Sequence, residues 1–141
     1  MTAVSLDSFL ETGRARLAKG PVAIILIEDD SAVQQALAHH LEHVLNRPVT
    51  QVGQAQTAIK NIAWCSGGAQ GYFEAAIAAG AQAFITGEIS EPQAHLAREC
   101  GVVFYACGHH ATERYGAPAM AAHVAARLGI AHQFIEIDNP A

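Results

Sequence analysis

The feature that most constrains this chain is an alternation that runs from Val22 onward. Short apolar runs of strand length take turns with stretches whose apolar residues recur at helical spacing. Strands separated by helices are joined by crossovers rather than hairpins, which brings them side by side in the same direction. The pattern predicts an α/β fold, a three-layer sandwich around a mostly parallel sheet. Strands are expected at Val22–Ile27, Ile59–Cys65, Ala81–Ile85 and Val102–Cys107, with a final one at Phe134–Ile137.

The helices between them carry start and stop signals. Ser31 with Gln34 reads as a capping box, and Val33, Leu37, Leu41, Val44 and Leu45 share one helical face before Pro48. A shorter helix carrying Phe73, Ala76 and Ile77 stops at Gly80. Ser90 with Gln93 is a second capping box, opening a helix that ends at Gly101, and Pro118 to Leu128 is an Ala-rich helix closed by Gly129. No repeat or interior linker interrupts this order. One domain is therefore expected over 22–141, preceded by a polar lead-in, 1–21, in which Leu6, Phe9 and Leu10 suggest a short helix.

Composition narrows the partners. Of the 141 residues, 51% are hydrophobic and 15% charged, enough apolar surface for a real core and too much for a disordered chain. The net charge of −5 opposes binding to nucleic acid or anionic lipid, and no Lys/Arg run offsets it. The apolar stretch Val22 to Ile27 is far short of the roughly 20 residues that span a bilayer, and residues 1–10 do not resemble a signal peptide. Cys65, Cys100 and Cys107 are odd in number and lack C-x-x-C spacing, so they read as reduced thiols of a cytoplasmic protein.

Three places carry candidate chemistry. His109 and Glu113 lie four apart at the start of a helix just after a buried strand, which sets an imidazole and a carboxylate on one helix face. Strand C-terminal ends are where α/β sheets collect ligands, and Gly108 allows a sharp turn there. By spacing alone the pair also occurs by chance. His110 must point elsewhere and reads either as a group supporting the ligands or as a buried, hydrogen-bonded histidine. In Thr86-Gly87-Glu88, Glu88 reads as a catalytic carboxylate: a general base, or the group that holds a ligating histidine. Its plainer role is a carboxylate favoured by the next helix N-terminus. Ser66-Gly67-Gly68 lacks the full G-x-G-x-x-G pattern and is read as a structural turn. His39 and His43 fall on a polar helix face and receive no role. Val22 to Leu45 imitates the opening of a receiver domain, but after Asp30 the only Asp is Asp138, so the phosphorylatable residue is missing.

Four segments taken together resemble one family: Ile62-Ala63-Trp64-Cys65-Ser66-Gly67-Gly68, Ala83-Phe84-Ile85-Thr86-Gly87-Glu88, Gly108-His109-His110-Ala111-Thr112-Glu113-Arg114 and Phe134-Ile135-Glu136-Ile137-Asp138-Asn139-Pro140. Their order is similar to that of the GTP cyclohydrolase type 2 homologues, the Nif-three-like dinuclear metal proteins. The resemblance implies that His109 and Glu113 are metal ligands for zinc, iron or manganese and that Glu88 lies near the cleft. It also implies a metal-dependent hydrolase acting on a nucleotide-like substrate, or a non-catalytic metal-binding, metal-delivery, regulatory or assembly protein. The family's His-His-Gly motif and Asp, which complete its two metal sites from an N-terminal half, have no counterpart here. This chain alone is therefore expected to hold metal weakly. Self-association into a homo-oligomer, or pairing with a complementary N-terminal-half chain, is expected to cover the apolar face left open.

Overall fold

The computed structural model describes residues 23–26, 32–55, 59–137 and 139. The lead-in, the cap at Ser31 and the domain boundary near residue 22 lie outside them. In chain order the elements are β1 (Ala23–Leu26), α1 (Ala32–Leu45), β2 (Thr50–Val52), β3 (Asn61–Trp64), a 3-10 turn (Gln70–Tyr72), α2 (Phe73–Ala78), β4 (Ala83–Thr86), α3 (Glu91–Cys100), β5 (Val103–Ala106), α4 (His109–Glu113) and α5 (Gly116–Leu128). The fold is α/β. One sheet of five strands runs in the order β1-β3-β4-β5-β2.

The three central strands are parallel, as crossovers through α2 and α3 require, with Ile62 opposite Ala83 and Ala83 opposite Val103. Both edges are antiparallel: β1 lies against β3 and β2 against β5. Strand β2 was not foreseen. The segment Phe134–Ile137, expected as a strand, is irregular and exposed, with Ile135 at 70% and Ile137 at 71%. The edge of β5 that a next strand would join is already taken by β2.

Alternation along the strands sorts the core onto the two sides of the sheet. Ile62, Ala83, Val103 and Tyr105 join Leu37 and Leu45 of α1 in one cluster. Ala63, Phe84 and Phe104 join Phe73 and Ala76 of α2 and Ala97 of α3 in the other. In that second cluster the rings of Phe73 and Phe104 meet edge to face at 4.9 Å, with Phe84 5.4 Å from each. Each fully buried ring contributes roughly 1.5–3 kcal/mol, and the aromatic pairing adds about 0.5–1.5 kcal/mol. This packing lies beneath the strand ends that carry the candidate site.

The helix signals resolve in part. The amide of Gln34 donates to Ala55 O at 3.2 Å and accepts from Ala55 N at 3.3 Å. Tyr105, fully buried, donates to Gln34 O at 2.9 Å, which ties α1 to the sheet. Ser90 does occupy the N-cap of α3 but makes no side-chain cap bond. Gly101 and Gly129 end α3 and α5 in left-handed caps as read. Val44, read on the same helical face as Leu37 and Leu45, is 46% exposed.

Candidate functional site

The site grows from the C-terminal ends of the three parallel strands. Beyond β3, β4 and β5 the backbone ladder continues for another step: Gly87 N donates to Gly67 O at 2.9 Å, and Gly108 N to Gly87 O at 2.8 Å. Three turns are thereby laid side by side. A Cβ on Gly87 would stand 2.6 Å from Gly67 O and 2.7 Å from His109 Cα, so only glycine permits this approach. The start of α4 is drawn down onto the turn that carries Glu88.

His109 is held between two carboxylates. Its Nδ1 faces Glu88 Oε1 at 2.5 Å and its Nε2 faces Glu113 Oε2 at 3.0 Å. The second contact follows from the four-residue spacing; the first joins residues from different strand ends. All three side chains are about half exposed. The hydrogen bond to Glu88 raises the pKa of His109 above its ordinary value, and the charge of Glu113 adds to the effect against partial desolvation. Donation from His109, then from Gln70 Nε2 at 3.2 Å, holds the Glu88 carboxyl below the usual range.

Glu88 and Glu113 approach opposite edges of one imidazole. Among the described residues no three His, Cys, Asp or Glu side chains form a group that could hold a metal. The donors do suit one corner of a coordination shell: two ligand atoms on a common ion, with bonds of roughly 2.0–2.2 Å, lie about 3 Å apart, as Nε2 and Oε2 of this pair do. A carboxylate on the other ring nitrogen is the usual support for a ligating histidine.

His110 points away from this pair, as expected, but it is not buried. Its Nε2 meets Glu136 Oε1 at 3.1 Å, and Arg114 reaches the same oxygen at 3.2 Å while donating to Leu45 O at 2.9 Å. The hydrogen bond from His110, with the Arg114 charge, holds the Glu136 carboxyl low. This cluster anchors the irregular C-terminal segment beside the site. A cleft of ≈ 450 Å³ opens between them, lined by Glu88, His109, Glu113, Arg114, Phe134 and Asn139 among others.

Ser66-Gly67-Gly68 does more than turn the chain. The backbone of Gly67 is bonded to the turn after β4 and to Thr112 of α4, and Cβ atoms built on Gly67 and Gly68 would face the carboxylates of Glu113 and Glu88 respectively. Thr86, Thr112 and Gln70 also support the site and were not singled out from the sequence. Their roles depend on neighbours far along the chain, for which no local signal exists.

The family model described as Duf34/NIF3 (NGG1p interacting factor 3) matches residues 17–140. The chain belongs to the Duf34/NIF3 family. A "GTP cyclohydrolase 1 type 2 homolog" of Allochromatium vinosum is 49% identical over 106 residues, 75% of this chain and 42% of that protein. One of the same name from Pseudomonas aeruginosa is 46% identical over 123 residues, 86% of this chain and 48% of that protein. Among solved structures, protein ybgI, described as of unknown function, superposes with a TM-score of 0.74 and 36% identity over 86% of this chain and 49% of its own. The chain thus spans about half the length of the Duf34/NIF3 relatives it matches.

Proposed function

We propose that this Duf34/NIF3 chain binds a divalent metal, of the zinc, iron or manganese class, through His109 Nε2 and Glu113, and that Glu88 orients the histidine. The observation that supports this most is the 3.0 Å convergence of Nε2 and Oε2, with Glu88 on the opposite ring nitrogen. A bound divalent metal would supply Lewis acidity and an activated water for hydrolysis of a nucleotide-like substrate. Around it, Glu88 keeps the Nδ1 proton on His109 and so leaves Nε2 as the ligating atom. Both Glu88 oxygens already accept hydrogen bonds, and a lowered pKa makes a poor base at neutral pH. In this reading Glu88 is a positioning residue, the carboxylate that holds the ligating histidine, which is one of the two roles its place in the sequence offered.

A non-catalytic metal-binding or metal-delivery role is the second reading. It is favoured by the lack, among the described residues, of a third converging ligand. For the same reason the chain should hold metal weakly until further ligands come from elsewhere. The apolar face of α5, with Met120 65% and Leu128 68% exposed, supports a partner. The cover proposed for it is the additional half that the relatives possess, or a second copy of this chain. Light scattering that shows a monodisperse monomer at high concentration would count against self-association.

Zinc titration near pH 7.5, wild type against His109→Ala, tests the site. Weak binding lost in the variant is the expected result, and tight binding that survives the substitution would refute the ligand assignment. Hydrolysis of GTP by the metal-loaded chain above the His109→Ala background would favour the enzymatic reading over metal delivery.

A further inference from the structure

The backbone of Gly67 carries an unusual load for a turn residue. Its N–H donates to Thr112 Oγ1 at 2.9 Å. Its carbonyl accepts from Gly87 N at 2.9 Å, from Ala69 N at 3.0 Å and from the fully buried Thr86 hydroxyl at 3.1 Å. Thr112 in turn lies on α4, one residue before Glu113, and its hydroxyl lies 3.0 Å from both Gly108 O and His109 O, to one of which it donates. One peptide unit after β3 is thus clamped to the turn after β4 and to the helix after β5.

The clamp places Gly67 against the carboxylate of Glu113. A Cβ on Gly67 would overlap Glu113 Oε1, stand 2.7 Å from its Cδ and lie 3.2 Å from His109 Nε2. Gly67 also has φ +69°, a conformation that resists any side chain. The space in which the His109–Glu113 pair closes is the space a side chain at position 67 would fill.

We propose that Gly67 and Thr112 are positioning residues for the His109–Glu113 pair: Gly67 leaves the volume that the Glu113 carboxylate occupies, and the Thr112 hydroxyl holds α4 at the distance that makes this volume useful. For metal binding the proposal rests on the function proposed above. The placement of Glu113 does not.

The test has a metal-free and a metal-loaded arm, both on the full chain. In a metal-free crystal structure of Gly67→Ala, Glu113 should leave His109 Nε2, breaking the 3.0 Å contact. Thr112→Val, which keeps the shape and loses the hydroxyl, should loosen the same contact, and Thr112→Ser should restore it. In zinc titrations Gly67→Ala and Thr112→Val should lose about 10–100-fold in affinity, the range for groups that orient metal ligands, with Thr112→Ser near wild type. Should Gly67→Ala fail to fold, the Thr112 pair decides alone. A Glu113 that stays in contact with His109 in Thr112→Val, or a Thr112→Ser as impaired as Thr112→Val, overturns the proposal. If wild type takes up no zinc while Glu113 moves in the variants, the metal reading falls and the positioning roles stand.

Discussion

Replacing Gly87 with alanine adds one methyl group where the backbone of two neighbouring turns closes in. Its carbon would lie 2.6 Å from Gly67 O, 2.7 Å from His109 Cα and 3.0 Å from His109 N. All three are backbone atoms, so no rotamer change relieves the clash. Ordinary contact requires the turns to separate by roughly half an ångström or more. The bonds from Gly87 N to Gly67 O, 2.9 Å, and from Gly108 N to Gly87 O, 2.8 Å, would then stretch beyond good geometry. Weakening both costs about 0.5–1.5 kcal/mol each, and overpacking adds about 1–3 kcal/mol. The total is about 2–6 kcal/mol. In urea, where domains of this size lose about 1–3 kcal/mol of stability per molar, the unfolding midpoint should fall by at least about 0.7 M. Gly71→Ala is the matched control, because a Cβ there meets nothing within 4 Å. Its midpoint should stay within about 0.3 M of wild type. If the two variants unfold together, close approach at Gly87 is not what holds the strand ends in place.

Glu88→Gln should lower the pKa of His109, read from its ring Cε1–H signal by NMR, because the Glu88 carboxylate is the largest influence raising it. The sign for stability follows: a raised histidine stabilises the fold below its unfolded pKa and loses that contribution as pH rises through the folded value, so Glu88→Gln should flatten this window. Cys107, fully buried with its thiol pushed up to about 12 by burial, should resist a thiol reagent at pH 8 until the protein unfolds, whereas exposed Cys100 reacts at once. Labelling of Cys107 in the native state at the rate of Cys100 would contradict the packing of β5.

The central strands and the helices were legible in the sequence because their signals are local. A buried parallel strand is a continuous apolar run, and a helix shows its period, its glycine stop and its proline. The contact between His109 and Glu113 was legible for the same reason, since one turn of helix brings residues four apart together wherever the helix lies. Thr50–Val52 escaped notice because its residues are exposed or half-buried and its strand character comes from pairing with β5. Phe134–Ile137 had the composition of a strand and no place beside β5 to pair. What only tertiary structure decided is how the site is braced: Glu88 against His109 from 21 residues away, and Gly67 against Thr112 from 45. Composition and period record what a residue is and which face it takes, but not which strand end lies next to it. That follows from strand order and register, which arise when the whole sheet buries its two faces at once.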